Sequence, residues 1–422
     1  MNHCLVFDIG KTNKKVFVFD ERYQIVFEST SQFFETIDDD GHAGEDIDRL
    51  KSWVQQTARE LQRDSRFHIK AVNCTTYGAS LVHLDAELQP VTPLYNYLKP
   101  FPADLQDWFL AQYGGVEKLS LETASPLLGH LNSGLQLLWL KHHKPHVFQQ
   151  IKYSLHLPQW VALLLGGSLC CEMTSLGCHT MLWDFQKNDY HNWVKAEGLA
   201  EKFPPIQTQS QQSLSTNGIG LHDSSAALIP YLACFQQPFV LISTGTWCIS
   251  LNPFNTEALS AEELAQDCLC YLTFEGKPVK AARFFGGHEY DTRIKQLASE
   301  YGLSSPDFFK SPDWEEEKAH PVAVEAYKSF MQELVDKQVA STRLAIGQSP
   351  VRRIFVDGGF SKNSYYMQLL AQAFPDMEVL AAEVAQATAL GAALALHSVW
   401  NRQSVPEALI RYERMAGGGA IL

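Results

Sequence analysis

Several short stretches of this chain carry residues whose types and spacing suit phosphate and cation chemistry. In Asp8-Ile9-Gly10-Lys11-Thr12-Asn13-Lys14-Lys15, Asp8 supplies a carboxylate suited to hydrated Mg²⁺. Gly10 lets the backbone approach a ligand closely, while Thr12, Asn13 and the lysines can donate to phosphate oxygens. A second stretch, Ser243-Thr244-Gly245-Thr246-Trp247, again sets hydroxyls around a glycine. Between them, His222-Asp223-Ser224-Ser225-Ala226 leads into a helical pattern. Asp223 there reads either as a helix cap or as a general base facing a cleft. Asp357-Gly358-Gly359-Phe360-Ser361-Lys362-Asn363 places two glycines between a strand and a helix N-terminus, a nucleotide cradle by dipole and open-backbone logic. Thr75-Thr76-Tyr77-Gly78 ends a strand where open α/β sheets place ligand contacts. Tyr95-Asn96-Tyr97 lines a polyol pocket or is a pair of surface aromatics.

The elements that must hold these residues follow from hydrophobic periodicity. Val6 to Asp20 is two apolar runs around a polar turn, a β-hairpin with its functional groups at the tip. Gln24 to Ser29 reads as a third strand, Glu45 to Arg63 as an amphipathic helix, and Ile69 to Cys74 and Leu81 to Asp85 as strands. Residues 101 to 150 read as helical. Residues 201 to 220, rich in Pro, Gln, Ser and Gly, read as a domain crossover. Phe239 to Leu251 then repeats the opening plan of strand, polar turn and strand, which suggests an internal duplication into two facing domains. His320 to Ile346 predicts a long amphipathic helix, Arg353 to Asp357 a buried strand, Met377 to Leu380 a strand and Ala385 to Trp400 a helix. The segment from Arg283 to Glu289 has no assigned role and reads as a surface loop.

The chain has 422 residues, enough for two domains around a cleft. A formal charge of −13 argues against nucleic acid and anionic membranes as partners. A small anionic ligand stays compatible, because Lys11, Lys14 and Lys15 outweigh the distant field locally. The nine cysteines lack metal-site spacing and read as buried free thiols of a cytoplasmic protein. His142, His143 and His146 have no acidic ligands beside them and read as solvated surface. No apolar run reaches the length of a membrane span, and no leader pattern precedes the first strand.

The ordered set of motifs, completed by Ala387-Thr388-Ala389-Leu390-Gly391, resembles the FGGY carbohydrate kinases. The resemblance covers nearly the whole chain. It implies an α/β fold of two ribonuclease-H-like domains, 1–222 and 223–422, each with a mixed five-stranded sheet, around a central cleft. It implies ATP and Mg²⁺ as cofactors and a sugar as the small-molecule partner, with a homodimer left open. Asp8 would place Mg²⁺, and Thr12, Asn13 and Lys15 would meet the transferred phosphoryl. Asp223 would take the proton from the sugar hydroxyl. Thr244, Gly245 and Thr246 would hold the other side of the phosphates, and Gly358, Gly359 and Asn363 would border the adenosine. Tyr77, Gly78 and Asn96 lie where the family contacts its sugar. His222-Asp223 followed by small residues is similar to members acting on L-rhamnulose, and the opening hairpin to members acting on L-fuculose. The resemblance thus implies a ketose or deoxyketose, L-rhamnulose first. Lys15 stands where many members have Arg, and Gln386 where a Glu is common. A catalytically silent sugar or nucleotide sensor on the same fold is the alternative.

Overall fold

The computed structural model describes residues 1–208, 215–310, 320–406 and 408–415. Near-continuous apolar runs mark strands covered on both faces, and Cys4 to Phe7 is such a run, fully buried. It lies in β1 (His3–Ile9), which turns into β2 (Lys14–Asp20) and continues to β3 (Ile25–Ser31). Helix α1 (Ile47–Arg63) is capped by Asp46, whose side chain accepts from Arg49 N at 2.9 Å, and it buries Leu50, Val54, Ala58 and Leu61. β4 (Ile69–Thr76) runs parallel to β1, and β5 (Leu221–His222) runs parallel to β4. The first sheet therefore has the order β5-β4-β1-β2-β3. Between β4 and β5 the chain adds helices: Ala103–Tyr113 and Ser133–His143 share an apolar cluster apart from the sheet, while Leu157–Leu164 buries Leu157, Trp160 and Val161 against β1 and β4. The strand expected near Leu81 spans Leu81–Leu84 but pairs with Tyr153–His156, apart from the main sheet.

The second half begins with α2 (Asp223–Cys234), then β6 (Phe239–Thr244), β7 (Cys248–Asn252), β8 (Cys268–Leu272) and β9 (Pro278–Phe284). Helices α3 (Gly286–Glu300) and α4 (Pro321–Ile346) precede β10 (Arg353–Gly358). The chain continues through α5 (Ser364–Ala373), β11 (Glu378–Glu383), α6 (Ala387–Leu394) and β12 (Arg411–Arg414). The sheet order is β8-β9-β7-β6-β10-β11-β12. Its inner strands repeat the first sheet. β6 pairs antiparallel with β7 and parallel with β10, as β1 does with β2 and β4; β7–β9 and β10–β11 match β2–β3 and β4–β5. The duplicated hairpin plan thus extends to whole sheets, while β8 and β12 enlarge the second beyond the five strands expected. The helix expected from Ala385 to Trp400 is broken, since α6 ends at Leu394 and a short helix resumes at His397–Trp400.

Helices α2 and α6 join the halves. One apolar cluster contains Val6 and Phe17 of the first sheet, Leu241 and Phe355 of the second, and Ala226, Ala389 and Ala393 of these helices. The helices touch so closely that a Cβ at Gly391 would stand 1.9 Å from the Ala226 carbonyl oxygen. All nine cysteines are free thiols. His142, His143 and His146 are exposed, as expected, but His142 Nε2 lies 3.6 Å from the Glu197 carboxylate, an acidic neighbour the sequence did not show. Residues 209–214 of the expected crossover lie outside the described residues. Among the described residues no helix is long and apolar enough to cross a membrane.

Candidate active site

The tip of the first hairpin is closed by the Gly10 N–H donating to Asn13 O at 2.9 Å. Side chains alternate across a strand, so the adjacent Lys14 and Lys15 part ways. Lys14 is buried, donates to Lys11 O at 2.9 Å and pairs with the buried carboxylate of Glu45. Lys15 reaches across to the second half and donates to Gln386 Oε1 at 3.2 Å. Asp8 faces Lys15 in the hairpin register, and its Oδ2 accepts from Thr388 Oγ1 at 2.7 Å. Burial pushes the Asp8 carboxyl up to about 6; the nearby Asp223 acts in the same direction, and Thr388 and Lys15 act against it. Lys11 pairs with Glu35 at 3.3 Å and lies over the rings of Tyr77 and Tyr97. Thr12 is exposed at the apex, and Asn13 Oδ1 accepts from Gln32 Nε2 at 2.7 Å.

Asp223 opens α2 at the carboxyl end of β5. The capping position belongs to His222, whose side chain makes no capping bond, so the helix-cap reading of Asp223 does not hold. Its carboxylate is one-third exposed. Oδ1 accepts from Ser224 N at 2.6 Å and Ser224 Oγ at 3.3 Å, and lies 3.1 Å from His222 Nε2. Among the described residues, nothing donates to Oδ2. The charge of Asp223 is felt by Asp8, Tyr97, Cys178 and Tyr271, which places it among the ends of both halves.

The second hairpin tip is built from backbone. Gly245 N donates to Trp247 O at 2.9 Å. Thr244 Oγ1 donates to Asp357 O at 2.6 Å and accepts from Phe360 N at 3.0 Å, fastening the tip to the turn after β10. Gly358 has φ +93°, and a Cβ there would meet Thr244 O at 2.0 Å. A Cβ at Gly287 would meet Gly245 O at 1.8 Å. A cavity of about 400 Å³ opens beside this tip, lined by Thr244, Gly245, Thr246, Gly287, Gly359 and Asn363 among others. Its size suits a nucleoside.

The structure sorts the expected site residues. Asp8, Lys15 and Asp223 come together, and Thr244, Gly245, Thr246, Gly359 and Asn363 share the cavity wall. Asn363 lines it while its amide is engaged elsewhere: Oδ1 caps α5 through Tyr366 N, and Nδ2 donates to Tyr327 OH. Gly358 lies behind the turn, against Thr244. Tyr77 is buried and donates its hydroxyl to Glu45 Oε2 at 2.5 Å. Gly78 packs on the back of His222 and Cys178, with no room for a Cβ. Asn96 Oδ1 accepts from Leu98 N in a local turn, and its neighbour Tyr97 is the residue that senses Asp223. Lys14, expected to meet phosphate, is neutralised by Glu45 instead. The stretch from Arg283 to Glu289 is no surface loop. Buried Arg283 pairs with Asp267 at 3.0 Å and stacks on Trp247, Gly287 abuts the tip, and His288 N donates to Thr246 O at 3.2 Å. Sequence reasoning missed Glu45, His222, Gly287 and Thr388. Thr388 stood inside a quoted motif, but its helix was read for packing alone.

A family model described as "FGGY family of carbohydrate kinases, N-terminal domain" matches residues 3–219. Two C-terminal FGGY models match residues 236–308 and 323–398. The chain is similar to an L-fuculokinase of Haemophilus influenzae, 23% identical over 93% of each chain. It is also similar to a rhamnulokinase of Halalkalibacterium halodurans, 24% identical over 59% of this chain and 56% of that one. Among solved structures, a carbohydrate kinase from Novosphingobium aromaticivorans aligns with TM-score 0.77 at 24% identity, over 98% of this chain and 94% of the other. A xylulose kinase from Lactobacillus acidophilus aligns with TM-score 0.79 at 15% identity, over 98% and 93%. These likenesses establish the fold.

Proposed function

The chain belongs to the FGGY family of carbohydrate kinases, which use ATP to phosphorylate a sugar hydroxyl, and we propose a division of labour among its residues. Asp223 is the general base. Its free Oδ2 takes the proton from the sugar hydroxyl as that oxygen forms a bond to the γ-phosphorus. The bond from the γ-phosphorus to the bridging oxygen breaks, and ADP leaves with the electron pair. Lys15, the Thr12 hydroxyl, the Asn13 side-chain amide and the backbone between them meet the phosphoryl group in flight. Thr244, Gly245 and Thr246 hold the remaining phosphates, and Gly359 and Asn363 bound the adenosine, with Gly358 shaping the turn behind them. Residues 1–222 carry the sugar and 223–422 carry ATP.

The observation that carries this reading is that Asp8 and Lys15 pair in the opening hairpin while Asp223 follows β5 at the same end of the first sheet, so that three charged side chains stand at one end of the strands. The residues also fit Mg²⁺. Asp8 offers hard oxygen, one of its two oxygens takes no hydrogen bond among the described residues, and few protein ligands suit an ion that keeps its waters. Asp8 would hold the ion, which when bound neutralises charge on the phosphates. Thr388 fixes the carboxylate from the second half.

The substrate we assign is a ketose or deoxyketose, L-rhamnulose first and L-fuculose next, in line with the names of the similar proteins. Tyr77, Gly78, Asn96 and the adjacent Tyr97 form the wall that meets it. We place the enzyme in the cytoplasm, in keeping with its free thiols. A coupled assay of ADP release across ketoses, deoxyketoses and polyols tests the reading. Stimulation by one sugar, lowered by roughly 10³-fold in Asp223→Asn with its thermal unfolding unchanged, is the expected result. No stimulation by any sugar would move the chain to the silent-sensor reading. Full activity in Asp223→Asn would remove the base assignment.

A further inference from the structure

Asp223 stands on a short footing. It directly follows β5, which is two residues long and lies at the edge of the first sheet, paired with β4. A further backbone contact of β5 is with a side chain, not a strand: the His222 N–H donates to Thr174 Oγ1 at 2.9 Å. Thr174 is fully buried in the short helix Met173–Leu176, far from Asp223 in sequence.

Thr174 is itself held from both ends of that helix. Its hydroxyl donates to Glu172 Oε2. The Glu172 carboxylate is buried too, and it also accepts from Thr174 N at 2.9 Å and Ser175 N at 3.2 Å. Just past the helix, a Cβ at residue 177 would stand 2.6 Å from Leu272 Cγ, so glycine there lets the turn seat against β8 of the second half. The roles in this relay are fixed by chemistry. A backbone amide only donates, and a carboxylate already taking two amides accepts the hydroxyl as a third donor. The Thr174 proton therefore points at Glu172 and a lone pair faces His222. A hydroxyl bonded to a carboxylate is polarised, which makes it a better acceptor for the amide. Without it, the amide of buried His222 loses that acceptor, a costly change inside a protein.

We propose that Thr174 is a positioning residue for the phosphoryl transfer: its hydroxyl, held by Glu172, fixes the backbone of β5 and thereby sets where the Asp223 carboxylate stands. This rests on the reading of Asp223 as the base. It predicts a defect in the chemical step, because a displaced base lowers the rate without weakening ATP binding.

The test compares Thr174→Val, which keeps the shape of the side chain and removes the hydroxyl, with Thr174→Ser, which keeps the hydroxyl. Thr174→Val is expected to lower kcat at least ~10-fold with KM for ATP within about twofold of the parent. Thr174→Ser is expected to recover most of that loss. In a double-mutant cycle, Thr174→Val added to Asp223→Asn is expected to cost nothing further, since the group it places is already disabled. A kcat unchanged in Thr174→Val, a Thr174→Ser as impaired as the Val variant, or additive losses in the cycle would overturn the proposal. Should Thr174→Val not fold, Thr174→Ala replaces it; it lacks the hydroxyl without adding bulk, and parent turnover there would sink the idea equally. An Asp223→Asn that keeps full activity defeats the base reading itself, whatever the Thr174 variants do.

Discussion

The two hairpins share a topology and differ in what they present. The first tip works through side chains: Asp8 and Lys15 reach the second half at Thr388 and Gln386, and Lys14 is locked on Glu45. The second works through backbone: Gly245 and Thr246 lie against Gly287 and His288, and Thr244 is fastened to the turn at Asp357 and Phe360. The same strand-turn-strand unit has thus been fitted once with charge and once with close-packed amides. Charge suits what develops during reaction, whereas fixed amides suit charge that is already present, which is why we give the phosphates of bound nucleotide to the second tip.

That contrast assigns different kinetic signatures to the two tips. The largest effect belongs to the first. Asp8→Asn is expected to lower kcat by at least ~10²-fold with little change in KM for ATP, measured at saturating sugar. A raised KM with unchanged kcat would show that the first tip is a nucleotide-binding element like the second. Next in size is Gly287→Ala. The new methyl overlaps Gly245 O, so the tip must shift. KM for ATP should then rise about 10-fold, with a smaller change in kcat. Equal losses in both constants would mean that the second tip also moves the reacting group.

The smallest effect is on stability, and only the charged tip should show it. The Asp8 carboxyl sits at about 6 in the folded chain, above its ordinary 3.8. The folded state therefore binds that proton more tightly than the unfolded state does. Stability from this group falls as pH rises from about 4 through 6 and stays lower above it. Asp8→Asn removes the buried charge. In EDTA it should match the parent near pH 4 and melt about 3 °C higher at pH 7.5. Equal melting at both pH values would remove Asp8 from the set of strained charges.

Local patterns made the hairpins, the glycine turn at Gly358–Gly359 and Asp223 legible, because each is a short run with its own periodicity. What they did not reveal was direction and partnership. Lys14 and Lys15 are the same residue type side by side, and alternation says that they part without saying which one is buried. Glu45 could have been read as the first residue of a helix, as it was, and yet it is the counter-ion of Lys14 and the acceptor for Tyr77. Arg283 to Glu289 looked like a loop because its work, supporting the second tip, is done through contacts with residues 246, 247 and 267 that share no pattern with it. Lys15 and Gln386, the two departures from the family's usual residues, turn out to touch each other.

The stitching between chain ends sets an order of assembly. Asp8 is fixed by Thr388, Lys15 by Gln386, Tyr23 by His397, and Asn73 by Ala392 O, over separations of 319 to 380 residues. As the polypeptide leaves the ribosome, the first hairpin emerges 371 to 380 residues ahead of its partners Gln386 and Thr388. The first sheet must wait, with one face of β1 and β4 uncovered, until α6 has been made. Contacts this distant in sequence also slow the closing step of folding. The newborn protein therefore gains its charged jaw only once α6 has been made.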